Sequence, residues 1–151
     1  GGERAQRPNP HNPNQRRLHL NHPATHKSVV GEGLPSPIGP YSPGVSFGQL
    51  VFVSGQGATV PETGELAGLD VEAQTEQVFK NISAILEAAG SSLAHVLRCG
   101  VFLADMRDFP QMNAVYERMM AGNRAARTTV QVAALPAHGL LVEIDAIAYV
   151  P

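Results

Sequence analysis

The chain of 151 residues contains one cysteine, Cys99, and has no long apolar run. A lone cysteine excludes an intrachain disulfide framework and a thiolate metal cluster. No segment approaches the roughly 18 consecutive apolar residues of a membrane span, and no apolar signal-peptide core follows the first residues. These absences predict a cytoplasmic protein without a membrane partner.

Sequence fingerprints of cofactor sites are also missing. The glycine-containing segments at residues 31–33 and 54–57 lack the Lys-Ser/Thr pair of a phosphate loop and the GxGxxG spacing of a dinucleotide site. His95 and His138 have no second histidine or acid at metal-ligand spacing. The sequence therefore predicts no metal, nucleotide or redox cofactor, so any chemistry must use a small set of polar side chains.

Charge is scarce and unevenly distributed. Charged residues make up 16% of the chain, and the formal net charge is −2. Residues 1–27 hold five basic residues and one acid, which leaves six basic and twelve acidic residues in the remainder. An acidic remainder with few lysines does not favour binding to a nucleic-acid backbone.

Residues 1–28 are predicted to form a flexible basic arm, and residues 29–151 a single α+β domain. The arm is rich in Asn, Pro, Arg and His and lacks apolar periodicity, so it cannot offset the entropy of ordering. A plain extension is the favoured interpretation. A polyanion-binding arm and an organelle address are the alternatives, because acids are scarce there, although its Pro and Asn residues disfavour an amphipathic targeting helix.

Apolar periodicity and turn residues predict five strands and two helices in the rest of the chain. Asp70 and Gly90 are placed to cap the first helix, whose apolar residues recur at helical spacing. The second helix is predicted to begin at Asp108, which forms a capping-box pattern with Gln111, and to end near Ala121. This order predicts an α+β fold with two helices on one face of a mixed sheet. The predicted strands are residues 44–47 and 50–54, joined by a tight hairpin, then 97–103, 126–136 and 140–149.

Strand alternation groups the polar residues of the last two strands. Arg127, Thr129 and Gln131 share one face of the first strand, and Glu143 and Asp145 share one face of the second. If the apolar residues between them pack under the helices, these polar side chains lie on the face that the helices leave uncovered. Such a mixed polar and apolar face is typical of an oligomer interface.

A few residues have both a structural and a chemical interpretation. Arg127 either forms a bidentate ion pair with Glu143 or Asp145 that locks two strands, or clamps a ligand carboxylate. Glu143 is either that partner or an acid–base group that positions water. Cys99 lies in a buried-looking strand without a neighbouring histidine or basic pair, so it is predicted to be a core residue rather than a nucleophile. Asn113 is predicted to be a solvated or locally bonded helix residue.

Seven ordered motifs span residues 36–150 without a large gap. They are Ile-Gly-Pro-Tyr-Ser-Pro at 38–43, Leu-Val-Phe-Val-Ser-Gly-Gln at 50–56, Ala-Gln-Thr-Glu-Gln-Val-Phe-Lys-Asn at 73–81, Val-Phe-Leu-Ala-Asp-Met at 101–106, Asn-Ala-Val-Tyr at 113–116, Ala-Arg-Thr-Thr-Val at 126–130 and Val-Glu-Ile-Asp-Ala-Ile-Ala at 142–148. Together they resemble the motifs of the RidA/YjgF reactive-intermediate deaminases, a family that acts on enamines and imines.

The resemblance implies a chorismate-mutase-like α+β fold, assembled as a homotrimer with ligand clefts between subunits. It also implies hydrolysis of intermediates such as 2-aminoacrylate and its tautomer 2-iminopropanoate to a 2-keto acid and ammonia. Arg127 matches the family arginine that holds the substrate carboxylate, and Glu143 matches the glutamate that positions or activates the attacking water. The remaining cleft residues of the family are matched by Tyr41, Ser54, Gly55 and Asn113.

Thr129 departs from the family pattern, because many members have a cysteine after the Arg-Ser pair. Within the resemblance Thr129 is a substrate-binding residue beside Arg127, and it excludes thiol chemistry at this position. Hydrolysis does not require the thiol if Glu143 and backbone carbonyls hold the water.

Two functions of other classes stay open at this point. Proteins similar to this one have been associated with ribonuclease and translation-inhibitor activity, and the basic arm would help to hold RNA, although the acidic body argues against it. A non-catalytic member would bind small carboxylates at Arg127 without turnover.

Overall fold

A computed structural model describes residues 25–151, which form a sheet and two helices. The strands are β1 (Lys27–Ser28), β2 (Gly44–Phe47), β3 (Leu50–Gln56), β4 (Val96–Leu103), β5 (Ala126–Gln131) and β6 (Val142–Tyr149). The helices are α1 (Val71–Ala88) and α2 (Phe109–Met120), with short 3-10 turns at Leu93–His95 and Met106–Asp108. The predicted α+β fold with a mixed sheet is confirmed.

The first strand lies where the sequence predicted the basic arm. Lys27 and Ser28 form β1 and pair antiparallel with β2 at the edge of the sheet. The predicted arm covers residues 1–28, of which residues 1–24 lie outside the described part of the chain. A two-residue strand is too short to show an alternating pattern, so the sequence carried no signal for it.

Helix α1 has the ends that its sequence predicts. The Asp70 carboxylate accepts a hydrogen bond from the Ala73 N–H at 2.8 Å, which satisfies a free donor of the first turn. Gly90 follows the last turn with φ +84°, a backbone conformation that favours glycine. The apolar stripe is fully buried against the sheet and comprises Val78, Phe79, Ile82, Ile85 and Leu86. Neither helix in residues 25–151 is long and apolar enough to cross a membrane.

Helix α2 begins after Asp108 and ends at Met120, close to the predicted bounds, but its start is capped differently from the prediction. The capping box predicted at Asp108 is wrong, because the Asp108 backbone is already helical and its side chain caps no N–H. Asp105 takes the capping role one turn earlier and accepts a hydrogen bond from the Arg107 N–H at 2.9 Å. The 3-10 turn that Asp105 begins runs directly into α2, so the helix needs no separate side-chain cap.

The sheet order differs from the sequence order at its far edge. The predicted β2–β3 hairpin is confirmed, with Gly48 in its turn at φ +58°. Along the sheet the order is β1-β2-β3-β6-β4-β5, so β4 lies between the last two strands. Strand β4 pairs parallel with β5 and antiparallel with β6. Because a parallel pair needs a long crossover, α2 connects β4 to β5.

The helices cover one face of the sheet, and the other face carries exposed apolar side chains. Val51 and Ala148 are directly opposite each other in β3 and β6, and both are fully buried on the helix side. Phe52 and Tyr149 project to the other side and are 41% and 38% exposed. This uncovered face matches the mixed surface predicted for the last strand.

The connection between β5 and β6 is anchored by one buried amide. The Gln74 side chain is fully buried and donates to the Gly68 and Gly139 carbonyls, both at 2.9 Å, while it accepts from the Leu141 N–H at 2.8 Å. A Gln74→Met substitution keeps the side-chain volume and leaves these three partly buried backbone groups without their hydrogen-bond partner. We expect it to lower the free energy of unfolding by about 3 kcal/mol, measured by urea titration.

The matched control is Gln77→Met on the same helix. Gln77 is half-buried and makes one side-chain hydrogen bond, to Asn81 at 2.9 Å. We expect its loss to cost about 1 kcal/mol, less than at Gln74, because a single group, the buried Asn81 amide oxygen, loses its partner. Equal losses in the two variants would show that Gln74 does not hold the connection in place.

Candidate active site

The register across β5, β4 and β6 shows which side chains share a face. Arg127 of β5 is directly opposite Cys99 of β4, which is directly opposite Ala146 of β6. Cys99 and Ala146 are buried on the helix side, at 1% and 2% exposure. Directly opposite residues project to the same side of a sheet, so Arg127 lies on the helix side. Thr129, two residues further along β5, lies on that side as well.

The two acids of β6 lie on the other face. Glu143 is directly opposite Phe102, and Asp145 is directly opposite Gly100, so both carboxylates project away from the helices. The prediction that Arg127, Thr129 and Gln131 share this uncovered face with Glu143 and Asp145 is therefore wrong for the three β5 residues. Alternation groups residues by face, but it does not indicate which group the helices cover.

The apolar residues of β5 show the same reversal. Val130 was expected under the helices, yet it projects to the uncovered face in register with Phe102 and is 38% exposed. Val142 and Ile144 of β6 are fully buried on the helix side, as expected. Strand β5 is the last strand of the sheet, so its helix-side residues reach the margin of the core, where polar side chains are tolerated.

Arg127 lies between two aromatic rings at the margin of α2. Its guanidinium carbon is 4.6 Å from the centre of the Tyr116 ring and 5.5 Å from that of Phe109. No acidic side chain in residues 25–151 forms an ion pair with it. The strand-locking pair with Glu143 or Asp145 is therefore wrong. The guanidinium keeps its charge and its donors for a ligand.

A cavity of about 370 Å³ opens beside this guanidinium. Asn113 lies on its wall and is half-buried, so it is less solvated than the sequence predicted. The hydroxyl oxygens of Tyr116 and Thr129 are buried without a hydrogen-bond partner in the described part of the chain. Unpaired buried hydroxyls cost about 1–3 kcal/mol each, so this region would be stabilised by a polar ligand or by water.

Cys99 is the core residue that the sequence predicted. Its side chain is 1% exposed between Arg127 and Ala146 in the sheet register. Burial raises the pKa of the Cys99 thiol, and burial also raises the pKa of the neighbouring Tyr116 hydroxyl. Both groups therefore stay protonated at neutral pH, and neither is an activated nucleophile.

A second, larger cleft of about 920 Å³ contains Glu143. The predicted residues Tyr41, Ser54 and Gly55 also line it, together with the proline-rich segment 35–43. The structure thus divides the predicted site residues into two groups. Arg127, Asn113 and Thr129 belong to the helix-side group, and Tyr41, Ser54, Gly55 and Glu143 belong to the group in the second cleft.

The Glu143 carboxyl is unpaired and partly desolvated. Within residues 25–151 no basic side chain forms an ion pair with it. Burial raises the pKa of Glu143, and the nearby Asp145 carboxylate raises it further. A carboxyl with a raised pKa in an open cleft is suited to accept and return a proton.

Asp145 has the structural role that its position suggested. It accepts a hydrogen bond from the Gly100 N–H at 2.8 Å and lies 3.9 Å from the Arg98 guanidinium. A Cβ atom at Gly100 would lie 2.5 Å from the Asp145 oxygen, so the missing side chain makes room for this contact. The Asp145 carboxylate therefore links β6 to β4 through these two contacts.

The walls of the second cleft are fixed by local hydrogen bonds. The Ser54 hydroxyl donates to the Ser42 carbonyl at 2.7 Å, and the Tyr41 hydroxyl oxygen accepts from the Ile38 N–H at 3.3 Å. Strand β3 continues past Ser54 to Gln56, with an irregular register after Val53. A β-bulge of this kind redirects side chains and is common beside functional sites.

Gly55 makes room for the Glu143 carboxyl. A Cβ atom at Gly55 would lie 2.9 Å from the Glu143 carboxyl carbon. Because the clashing atom ends a flexible side chain, Gly55→Ala should fold normally and displace that carboxyl. We expect at least a 10-fold loss of turnover in steady-state kinetics, since small misplacements of a catalytic group are costly. Gly31→Ala is the control, because its Cβ would make only ordinary contacts, at 3.4 Å or more. Equal activity of the two variants would contradict the role of this contact.

Two residues of the helix-side group were missed from the sequence. Phe109 was given no role, and Tyr116 was noted only as the last residue of the motif at 113–116, yet the rings of both contact Arg127. Their spacing with Asn113, at i, i+4 and i+7, was an available signal, because it places all three on one helix face. Within residues 25–151, no group of three His, Cys, Asp or Glu side chains is placed to hold a metal ion.

Comparison with known proteins gives a consistent assignment. The sequence model of the family described as Endoribonuclease L-PSP matches residues 32–150. A RutC family protein of Pyrococcus horikoshii is 48% identical over 80% of this chain and 95% of its own length. A 2-iminobutanoate/2-iminopropanoate deaminase of Salmonella typhimurium is 42% identical over 81% of this chain and 96% of its own length.

Solved structures agree with the sequence matches. The structure of TdcF from Escherichia coli with bound serine has a TM-score of 0.76 and 38% identity, and it covers 82% of this chain and 98% of that one. The match includes both strands that carry the candidate residues, since the family model extends to residue 150. The chain therefore belongs to the Endoribonuclease L-PSP family, the RidA/YjgF family that its sequence motifs resemble.

Proposed function

We propose that this protein hydrolyses reactive imines and enamines of the 2-iminopropanoate type to 2-keto acids and ammonia. The observation that carries the proposal is the complementary chemistry of the two groups. One presents an unpaired guanidinium in a cavity, and the other an unpaired carboxyl with a raised pKa in a cleft. An α-imino acid offers a carboxylate to the first and an electrophilic carbon to the second.

The proposed reaction needs positioning and one proton shuttle. Arg127 binds the substrate carboxylate through its two-pronged donor geometry. Glu143 holds a water molecule and accepts its proton while the water oxygen bonds to the protonated imine carbon. Glu143 then returns the proton to the nitrogen. As the carbon–nitrogen bond breaks, Glu143 accepts the remaining hydroxyl proton and passes it to the departing ammonia, so the products are the 2-keto acid and ammonium.

The two groups belong to different copies of the chain in this proposal. Within one chain β4 separates β5 from β6, so the backbones that carry Arg127 and Glu143 are about 9–10 Å apart, and their side chains project to opposite faces. A homotrimer would bring the two side chains together. In a closed three-fold ring, one surface of each copy packs against a different surface of the next copy. Each cleft would then combine Arg127 of one copy with Glu143 of its neighbour.

The relatives support the substrate class. A protein 42% identical to this chain is named a 2-iminobutanoate/2-iminopropanoate deaminase. The related TdcF structure holds serine, an amino acid whose carboxylate is the group that Arg127 is proposed to bind. Thr129 fits this role without a thiol, because its unpaired hydroxyl lies on the same face as Arg127.

A coupled assay tests the proposed activity. Imines of several amino acids are generated by an amino-acid oxidase, and the release of ammonia and 2-keto acid is followed with and without the purified protein. We expect equal molar release of the two products, faster than the spontaneous reaction. Spontaneous rates with every imine would contradict the proposal. If 2-keto acids still bound at Arg127, that result would establish a non-catalytic carboxylate-binding member.

Action on RNA is the second candidate, favoured by the Endoribonuclease L-PSP description of the family model. The residues after position 27 are acidic, with six basic and twelve acidic side chains, so RNA binding would depend on the basic segment 1–27. A salt titration of RNA binding by the full chain and by a variant without residues 1–28 separates the functions. Binding that depends on both salt and this segment would favour RNA.

A further inference from the structure

We infer that Tyr116 and Phe109 are positioning residues, whose rings hold the Arg127 guanidinium in the orientation that receives the substrate carboxylate. The inference rests on the proposed function and assigns a role to two residues, Tyr116 and Phe109, for which neither the sequence motifs nor the names of the relatives give one. It starts from an unusual feature of Arg127, which is half-buried and has no acidic partner in the described chain.

A half-buried arginine needs something to fix its long side chain. An acidic neighbour would do so, but it would occupy the N–H groups that a ligand carboxylate needs and would cancel the positive charge. An aromatic ring attracts the cation through its face and leaves the N–H donors, which lie in the guanidinium plane, free. The rings of Tyr116 and Phe109, at 4.6 and 5.5 Å, provide this second kind of support.

The rings themselves are held by the core. Tyr116 is 8% exposed and packs edge-on against Phe79 of α1, with ring centres 5.2 Å apart and planes at 81°. Phe109 lies two helical turns before Tyr116 on α2. Their i, i+7 spacing places both side chains on the same face of the helix. The orientation of Arg127 is thus set by the packing of α1 against α2, at a distance from the reacting atoms.

The Tyr116 hydroxyl lies beside the Cys99 thiol and makes no hydrogen bond to Arg127 in the described residues. Its oxygen is buried without a hydrogen-bond partner within residues 25–151. The ring face, not the hydroxyl, is therefore the part of Tyr116 that acts on Arg127. This distinction separates the inference from a catalytic role of the phenol and provides a conservative variant, Tyr116→Phe.

The test compares Tyr116→Leu with Tyr116→Phe in steady-state kinetics on a 2-imino acid. We expect Tyr116→Leu to raise KM about 10-fold with a smaller change in kcat, because it disturbs carboxylate binding rather than the attack of water. The inhibition constant of 2-oxobutanoate, a carboxylate probe, should rise by the same factor. In Tyr116→Phe, which keeps the ring, both KM and the inhibition constant should lie within about twofold of the wild-type values.

Comparison with Arg127→Ala separates an error in this inference from an error in the proposed function. If Arg127→Ala abolishes turnover while Tyr116→Leu keeps the wild-type KM, the positioning inference is wrong and the function stands. If Arg127→Ala has wild-type activity, the proposed function is wrong. Should Tyr116→Leu fail to fold, Phe109→Leu decides, since Phe109 is only partly buried. A wild-type KM and inhibition constant in that variant would overturn the inference.

Discussion

Replacing Arg127 with alanine is expected to lower kcat/KM for 2-iminopropanoate by at least about 100-fold, which corresponds to about 3 kcal/mol of lost transition-state binding. Among residues 25–151 the Arg127 guanidinium is the cation of this cavity that forms no ion pair, so its loss removes the bidentate contact with the carboxylate. Arg127→Lys should lose nearly as much. An ammonium group lacks the planar fork that fits a carboxylate and stacks between two rings.

Arg124→Ala is the matched control for this experiment. Arg124 lines the same cavity, but its side chain is 89% exposed and lies 3.9 Å from the Glu117 carboxylate. Its removal deletes the same formal charge and should change kcat/KM by no more than about threefold. Wild-type turnover in Arg127→Ala, or equal losses in the two variants, would contradict the carboxylate clamp.

The second large effect is expected at Glu143. Glu143→Gln keeps the size of the side chain and removes the proton acceptor, so kcat should fall by about 10² to 10⁴. Binding of 2-oxobutanoate should be retained, because the carboxylate clamp lies in the other group of residues. Steady-state kinetics and inhibition constants together measure both results. A variant with unchanged kcat would show that the water is activated elsewhere.

The pH profile provides an independent measurement of Glu143. If deprotonated Glu143 holds the water, activity falls as the pH drops through the pKa of Glu143. Because this pKa is raised, the fall on the acidic side of the pH–activity profile, its acid limb, should occur at a higher pH than for an ordinary glutamate. Asp145→Asn removes one cause of the increase, so the limb should shift to lower pH while turnover at pH 8 is retained. An unshifted limb would mean that another group controls it.

The same raised pKa predicts the sign of a stability change. The folded protein binds the Glu143 proton more tightly than the unfolded chain does, because burial and Asp145 disfavour the carboxylate. The free energy of unfolding should therefore decrease as the pH rises from the ordinary glutamate pKa through the raised one. Glu143→Gln should remove this decrease, which urea titrations over that pH range would measure.

The parts of the fold that depend on neighbouring residues could be predicted from the sequence. Asp70 and Gly90 mark the ends of α1, because capping and glycine conformation are local properties. The position of β4 between β5 and β6 could not be predicted, since strand order depends on pairing between distant segments. The position of α2 was predicted, but the capping side chain was assigned to Asp108 rather than to Asp105, because both aspartates are suitable caps.

The candidate site was predictable in composition but not in arrangement. Arg127 and Glu143 are charges in otherwise apolar strands, and this anomaly is visible in the sequence. The side of the sheet to which each of them projects is not visible in the sequence, because alternation with a period of two gives the same pattern for either side. The role of Tyr116 was hidden for a similar reason, since a buried aromatic in a helix has the same sequence pattern whether or not its ring supports an arginine.

A mixture of two inactive variants tests the central claim, that each site combines Arg127 of one copy with Glu143 of the next. Arg127→Ala and Glu143→Gln chains are co-expressed with different tags, and the mixed assemblies are purified. In a closed ring of three, every mixed assembly contains one site of three with both residues intact, so the purified mixed assemblies should recover about one third of the wild-type activity. Arg127→Ala mixed with the double variant is the control, because it contains no intact site. Recovered activity only in the first mixture is the expected result, and no recovery would contradict a site shared between copies.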